Sequence, residues 1–254
     1  MDTAAKEMQL ETYFKDNPTL GLGFSGGVDS AYLLYAGLRT GATVKAYYVK
    51  TQFQPAFELQ DAYRLAADLG TEITVLTHSV LDDPCIVKNS ENRCYFCKSA
   101  IFGLICKQAA SDGFSTVIDG TNASDDVADR PGMAALTQLD VASPLRVCGI
   151  TKEEVRQLSK AAGLSTWNKP AYACLATRIE TGVPITQKLL TRVEVAEDAL
   201  FQLGYSDFRV RVFHDAARLQ FPQAQIEKAV AGRKEIAAAI KPHFSSILLD
   251  LEGR

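Results

Sequence analysis

No run of apolar residues in this chain approaches membrane-spanning length, and the opening Met1-Asp2-Thr3-Ala4-Ala5-Lys6-Glu7 lacks the layout of a secretory leader. The expectation is a cytoplasmic protein with no membrane partner. A reducing compartment disfavours disulfides, so the six cysteines read as packing, ligand or nucleophile positions. Excess positive charge is also missing. With 27 Lys and Arg against 30 Asp and Glu, the net charge is -3, and no basic field invites a nucleic acid. There is no internal repeat and no low-complexity tract, which sets aside repeat arrays and disordered tails. What remains is a 254-residue chain, 47% hydrophobic and 22% charged, long enough for one large or two modest domains.

The chain is organised around Ser25-Gly26-Gly27-Val28-Asp29-Ser30, which follows the apolar run Leu20-Gly21-Leu22-Gly23-Phe24 and precedes a helical stretch from Ala31 to Leu38. A strand-to-helix turn with two glycines lets successive N–H groups converge on an anion. Ser25 and Ser30 add hydroxyl donors, and the helix N-terminus adds its positive dipole end. No lysine follows the glycines, so this is not the Gly-x4-Gly-Lys-Ser/Thr loop. The pattern resembles the PP-loop of ATP pyrophosphatases, which split ATP into AMP and pyrophosphate. That resemblance implies ATP as ligand and Asp29 as the residue that helps hold Mg2+. The competing reading is a plain glycine turn between strand and helix.

The rest alternates. Residues 5–16, 31–38, 57–69 and 102–110 read as helices, and 43–49, 72–76 and 115–118 as strands. Alternation of this kind predicts a doubly wound parallel α/β sheet with ligands at the carboxyl ends of its strands. Gly120 and Thr121 lie in the polar turn after the fourth strand, and Arg130 before Pro131-Gly132 offers a guanidinium fork ahead of a rigid turn. Thr151 and Glu154 form a capping box for a helix through Ala161. The character changes near residue 181. We expect a domain over 1–180 and a smaller α+β module over 181–254, with Phe208–Phe213 as a strand and Arg218–Phe221 as its partner.

Cys94 and Cys97 stand three apart at the start of a predicted helix, one face, flanked by Arg93 and Lys98, a setting that favours thiolates. Cys174 sits in a polar loop between Lys169 and Arg178. A second cysteine pair is missing, so a four-ligand structural zinc is not indicated. Three cysteines suffice for three irons of a [4Fe–4S] cluster with the fourth iron open. Two half-buried helix cysteines and one loop cysteine with no metal is the plain alternative.

Taken together, the glycine turn, Gly120-Thr121-Asn122, Arg130-Pro131-Gly132, Ser143-Pro144-Leu145, Lys169-Pro170, Ala173-Cys174-Leu175-Ala176-Thr177-Arg178 and Arg209-Val210-Arg211 resemble the LarE family of ATP-dependent sulfur transferases of nickel-pincer cofactor synthesis, over about residues 20–221. The resemblance implies adenylylation of a carboxylate of pyridinium-3,5-biscarboxylic acid mononucleotide, then its conversion to a thiocarboxylate. It makes Cys174 the sulfur-handling residue, with Arg178, Arg209 and Arg211 in the binding site, the last two on the substrate phosphate, and Glu197 near it. Some members sacrifice the cysteine sulfur and keep dehydroalanine. Others hold a [4Fe–4S] cluster on three cysteines and deliver a sulfide, and Cys94 with Cys97 places this chain beside them, with an external sulfide or sulfur donor. The family also implies a homo-oligomer, a hexamer among its forms. Where the family usually has glutamate this chain has Gln220. Other readings are an NAD or GMP synthetase, which needs no paired thiols, a tRNA thiolase, which needs a polynucleotide surface, and a non-catalytic nucleotide-binding regulator.

Overall fold

The structure, a computed structural model, describes residues 2–125 and 131–254, so Arg130 lies outside the described residues. Its contacts group the chain into two compact units: Met1–Thr51, Ala56–His78 and Asn92–Lys169 form the first, and Gln52–Pro55, Ser79–Glu91 and Pro170–Arg254 the second.

In chain order the first unit holds α1 (Thr3–Asp16), β1 (Thr19–Gly23), α2 (Val28–Arg39), β2 (Thr43–Lys50), α3 (Ala56–Asp68) and β3 (Ile73–Thr77). After α4 (Pro84–Val87), which belongs to the second unit, it resumes with α5 (Arg93–Ser111), β4 (Val117–Ile118), α6 (Pro131–Gln138), α7 (Pro144–Val147) and α8 (Lys152–Ala161). The four strands form one all-parallel sheet in the order β3-β2-β1-β4. This is the doubly wound α/β sheet that the alternation predicts.

Strand β1 is central because its two faces do different work. Leu20 and Leu22 point into a fully buried cluster with Leu10, Phe14, Leu33, Leu34 and Val155, from α1, α2 and α8. Each such side chain contributes about 1.5–3 kcal/mol on burial. Gly21 and Gly23 face the other way and leave room for α5: a Cβ on Gly23 would lie 2.7 Å from Phe102 Cε1, and one on Gly21 3.2 Å from Ala109 Cβ. Bare backbone on this face therefore sets how closely α5 approaches. A second cluster of Tyr47, Ile105, Ala109, Met133 and Leu136 fills that side.

Three elements differ from the sequence expectation. The helix expected to start at the cysteine pair and the one expected over 102–110 are a single element, Arg93–Ser111. Strand β4 is only Val117–Ile118, two residues shorter at its start than expected; a parallel bridge from Ile118 to Ala142 extends its edge, with Asp119 N donating to Ala142 O at 2.9 Å. Pro131 and Gly132, expected as a rigid turn, open helix α6, where a proline at the first helical position loses no intrahelical hydrogen bond.

In the second unit, α9 (Gln187–Gln202) starts at Thr186, whose hydroxyl accepts from Leu189 N at 3.3 Å. β5 (Arg209–Phe213) and β6 (Ala216–Gln220) form the expected antiparallel pair. After α10 (Gln223–Ala231) and α11 (Arg233–Ile240), β7 (Ser246–Leu249) joins β6 in parallel. The segment 79–91 is sewn in by Asn89, which donates to Glu180 O at 2.8 Å and Val183 O at 2.9 Å. No helix among the described residues is long and apolar enough to cross a membrane.

Candidate active site

The turn after β1 is built as an anion cradle. Gly26 takes φ +71°, open to glycine and strained for other residues, and a Cβ there would meet Ala62 Cβ of α3 at 3.3 Å. Gly27 precedes α2 and brings no capping side chain to its first N–H groups. The two serine hydroxyls mostly hold the turn itself. Ser25 Oγ accepts from Gly27 N at 3.3 Å and lies 3.2 Å from Ser30 Oγ. Ser30 Oγ in turn donates to Gly27 O at 3.2 Å. Two of the turn's N–H groups are used within it, Ser25 N on Ser30 Oγ and Gly27 N on Ser25 Oγ, both at 3.3 Å.

Strand order reverses between β1 and β4, and the turns after these two strands share a cavity of about 260 Å³ lined by Ser25, Asp29, Ser30, Lys98, Asp119, Gly120 and Thr121. The turns touch: a Cβ on Gly120 would lie 3.2 Å from Ser30 N. Asp119 is 4% exposed and accepts from Ser143 Oγ at 2.6 Å and from the Thr121 hydroxyl. Thr121, expected as a ligand donor, is thus turned onto Asp119. Beyond Gly26 lies a second cavity, of about 310 Å³, lined by Asp61, Arg64, Ser165, Asn168 and Lys169. Lys169 Nζ pairs with Asp61 Oδ2 at 2.9 Å, and Arg156 holds the Lys169 carbonyl at 2.9 Å. Residues of this turn thus line two polar recesses.

Asp29 sits in the first turn of α2. Its Oδ2 is 2.5 Å from Lys152 Nζ, and its Oδ1 accepts from Asn122 Nδ2 at 3.3 Å. Burial pushes its carboxyl pKa above the ordinary range, the Lys152 ammonium pulls it down, and the Asp125 charge adds to the rise. Lys152 is the residue that sequence reasoning missed, while Asn122 was read only as part of the motif Gly120-Thr121-Asn122, with no link to Asp29. The one available signal was a lysine at the first position of α8, where the helix dipole disfavours a cation.

Cys94 and Cys97 lie on the first turn of α5, Cys94 exposed and Cys97 half-buried, with Arg93 Nη2 3.7 Å from Cys94 Sγ. As a donor set they suit two irons of a cluster and supply half of a four-thiolate site. Among the described residues, no group of three or more His, Cys, Asp and Glu side chains is gathered as a metal ion needs. Of Cys85, Cys106 and Cys148, all expected from their apolar surroundings to be packing residues, Cys148 and Cys106 are thiols whose pKa burial pushes up, whereas Cys85 is exposed and does not pack.

Cys174 precedes a short turn, Leu175–Arg178, in the second unit. Arg178 and Glu197 are each 1% exposed and form a two-pronged pair, Nε to Oε1 at 2.8 Å and Nη2 to Oε2 at 3.1 Å. Glu197 also accepts from Val210 N at 2.9 Å and from the Tyr172 hydroxyl. Arg209 and Arg211, expected on a substrate phosphate, end on main-chain carbonyls: Arg209 on Phe208 O and Ala171 O, Arg211 on Thr177 O. Burial, then the neighbouring Arg178 charge, lowers the Arg209 pKa to about 10.

No protein-family model matches the chain. It is 26% identical to the tRNA-specific 2-thiouridylase MnmA of Thermotoga petrophila over 192 residues, 59% of this chain and 54% of that one. It is 29% identical to the pyridinium-3,5-bisthiocarboxylic acid mononucleotide synthase of Lactiplantibacillus plantarum over 253 residues, 98% of this chain and 92% of that one. Identity rises to 37% over 256 residues with the uncharacterized protein slr1717 of Synechocystis, covering 98% of this chain and 94% of its relative. At that identity across nearly the whole of both chains, this protein belongs to the family of slr1717.

Proposed function

We propose that this protein is an ATP-dependent sulfur transferase that converts a carboxylate of a pyridinium-3,5-biscarboxylic acid mononucleotide into a thiocarboxylate. The observation that carries the reading is the preformed cradle at the strand-order reversal, in a chain similar along almost its full length to a synthase of the corresponding bisthiocarboxylate. The cradle supports ATP as the activating substrate, with Gly26, Gly27 and the N-terminus of α2 on its phosphates and Asp29 beside Mg2+. Magnesium, when bound, neutralises charge that develops on the pyrophosphate.

The chemistry balances in two steps. A substrate carboxylate oxygen attacks the α-phosphorus of ATP; a P–O bond forms and the bond to pyrophosphate breaks, giving an acyl-adenylate. A sulfur nucleophile then attacks the acyl carbon, the C–S bond forms, and AMP leaves with the oxygen. Lys152 is placed to neutralise Asp29 until a metal-bound nucleotide takes over its carboxylate. By the resemblance, Cys94, Cys97 and Cys174 would hold a [4Fe–4S] cluster that would supply a sulfur atom renewable by external sulfide; among the described residues the three thiols are not gathered for it.

The test is anaerobic. Purified protein is assayed for iron and acid-labile sulfide, then given ATP, Mg2+ and the biscarboxylate mononucleotide. Pyrophosphate release with a product heavier by the oxygen-to-sulfur exchange is expected, with iron lost in Cys94→Ala. No pyrophosphate release overturns the reading. An iron-free protein that thiolates once and leaves Cys174 without its sulfur replaces the cluster with sacrifice of the cysteine: its thiolate displaces AMP, the Cα proton leaves, and the Cβ–S bond breaks to dehydroalanine.

A further inference from the structure

We propose that the second unit carries an anion site for a phosphate group, formed by Lys188, Arg192 and Lys241 and sharing no residue with the cradle. The inference stands whether or not the sulfur-transferase reading holds.

The three cations line one cavity of about 450 Å³, with Asp215 and the 242–245 turn completing its wall. Lys188 lies in the first turn of α9 and Arg192 four residues on, so the helix period puts both on one face. Lys241 ends α11, just before the turn that leads into β7.

Arg192 is the fixed member. Its Nε donates to His243 O at 2.7 Å, and its Nη2 to Asp215 Oδ1 at 2.7 Å and Asp215 O at 3.3 Å. Its guanidinium carbon lies 4.4 Å from the ring centroid of Phe244, a buried residue. Ser245 N and Oγ also donate to Asp215 O, at 3.1 and 3.0 Å, which ties the hairpin turn between β5 and β6 to the same wall. The guanidinium is thus held from two turns, and its Nη1 has no partner among the described residues.

Lys188 and Lys241 are exposed, and neither ammonium makes a hydrogen bond or ion pair among the described residues. The one carboxylate in the wall is committed to Arg192. That hydrogen bond first, then the guanidinium charge, hold the Asp215 carboxyl below its ordinary range, and the Lys188 charge adds to the lowering. Three cations against one carboxylate reverse the balance of the whole chain, where acidic residues outnumber basic ones.

The arrangement also works against its local electrostatics. Like charges four apart on a helix repel, and Lys188 stands near the positive end of α9, where a cation is disfavoured. An anion between the three groups relieves both penalties. A phosphate dianion matches the excess of two positive charges, whereas a monocarboxylate leaves one uncompensated. Ammonium groups bind phosphate as point charges, and Arg192 Nη1 adds an N–H fixed in direction.

The test is lysine footprinting of the full chain. Acetylation is followed residue by residue by mass spectrometry, with and without inorganic phosphate at about 10 mM, sodium chloride holding the ionic strength constant. A site half-filled at about 1 mM slows acetylation of Lys188 and Lys241 about tenfold, while the exposed Lys15 and Lys107 of the first unit keep their rates. Lys241→Gln should remove most of the protection at Lys188, and Lys188→Gln that at Lys241. A second arm replaces phosphate by AMP. With phosphate protection in place, protection by AMP assigns the site to a phosphate ester, and its absence assigns it to the free ion. No slowing at Lys188 and Lys241, equal slowing at all four lysines, or protection that both variants keep would overturn the proposal. If wild-type protein releases no pyrophosphate, the functional reading fails, and the footprint still decides whether the anion site exists.

Discussion

Asp29, proposed to stand beside the metal-bound nucleotide, sits in an unfavourable environment. Its carboxylate is largely buried at the mouth of the cradle, and desolvation raises its pKa although Lys152 stands against it. A raised acid pKa means the folded protein binds that proton more tightly than the unfolded chain. Stability therefore falls as pH rises from the ordinary aspartate range through the raised value, and at pH 7 the ionised group costs stability. Asp29→Asn keeps the shape and removes the charge, while Lys152, about one-third exposed, can turn to solvent. We expect pyrophosphate release to disappear and the melting temperature to rise, by about 2–4 °C for each kcal/mol relieved. Thermal scans beside a pyrophosphate assay check both arms. Activity equal to wild type would remove Asp29 from the mechanism, and a lower melting temperature would mean the Lys152 pair outweighs burial. This residue was legible in the sequence because its motif is contiguous. Lys152, and the pairing of Asn122 with Asp29, were not, since both side chains reach Asp29 from positions far along the chain and no local pattern links them to it.

Helix α8 is the element whose ends were written most plainly. Thr151 accepts from Glu154 N, Glu154 accepts from Thr151 N at 2.8 Å, and Gly163 leaves the helix with φ +73°. Glu154 does a second job, taking Lys6 Nζ of α1 at 2.8 Å, and this pair was invisible to a local reading. The Lys6 hydrogen bond first, then the Thr151 amide, hold the Glu154 carboxyl down at about 2. A lowered acid pKa gives stability that is present above the ordinary value of 4.5 and drains away as pH falls from 4.5 towards 2. Glu154→Ala should cost about 1–2 kcal/mol at pH 7 by removing cap and tether together. Urea midpoints at pH 7 and pH 3 check it: the gap between variant and wild type narrows at the lower pH, and a constant gap would assign the loss to packing. Shorter elements escaped the sequence for a physical reason. Single-turn helices such as α7 carry too few side chains for a period to appear, and Pro131 signals a turn and a helix start equally well.

For the whole molecule, the alternation of strands and helices was readable, while the grouping of chain segments into units was not. The composition change near residue 181 falls inside the second unit, which also takes in 52–55 and 79–91. The segment 79–91 is bound through Asn89 to residues more than 90 positions away, and 52–55 through Phe53 O, which accepts from Leu175 N at 2.8 Å, contacts that composition does not encode. Charge is the whole-molecule property with a functional consequence. The Thermotoga relative is by name a tRNA enzyme, whereas the proposed substrate here is a mononucleotide. A polynucleotide ligand needs a field of cations that releases condensed counterions, and a chain of net charge -3 offers little of that. Binding of labelled tRNA, followed by anisotropy at 50 and 200 mM salt, should therefore be weaker than about 10⁻⁴ M at physiological salt, the weak end of non-specific affinity. Micromolar binding that collapses between those two salt concentrations would reveal a local basic surface that the net charge conceals. It would also move the substrate from a free mononucleotide to a nucleotide within RNA, leaving the cradle and its ATP chemistry unchanged.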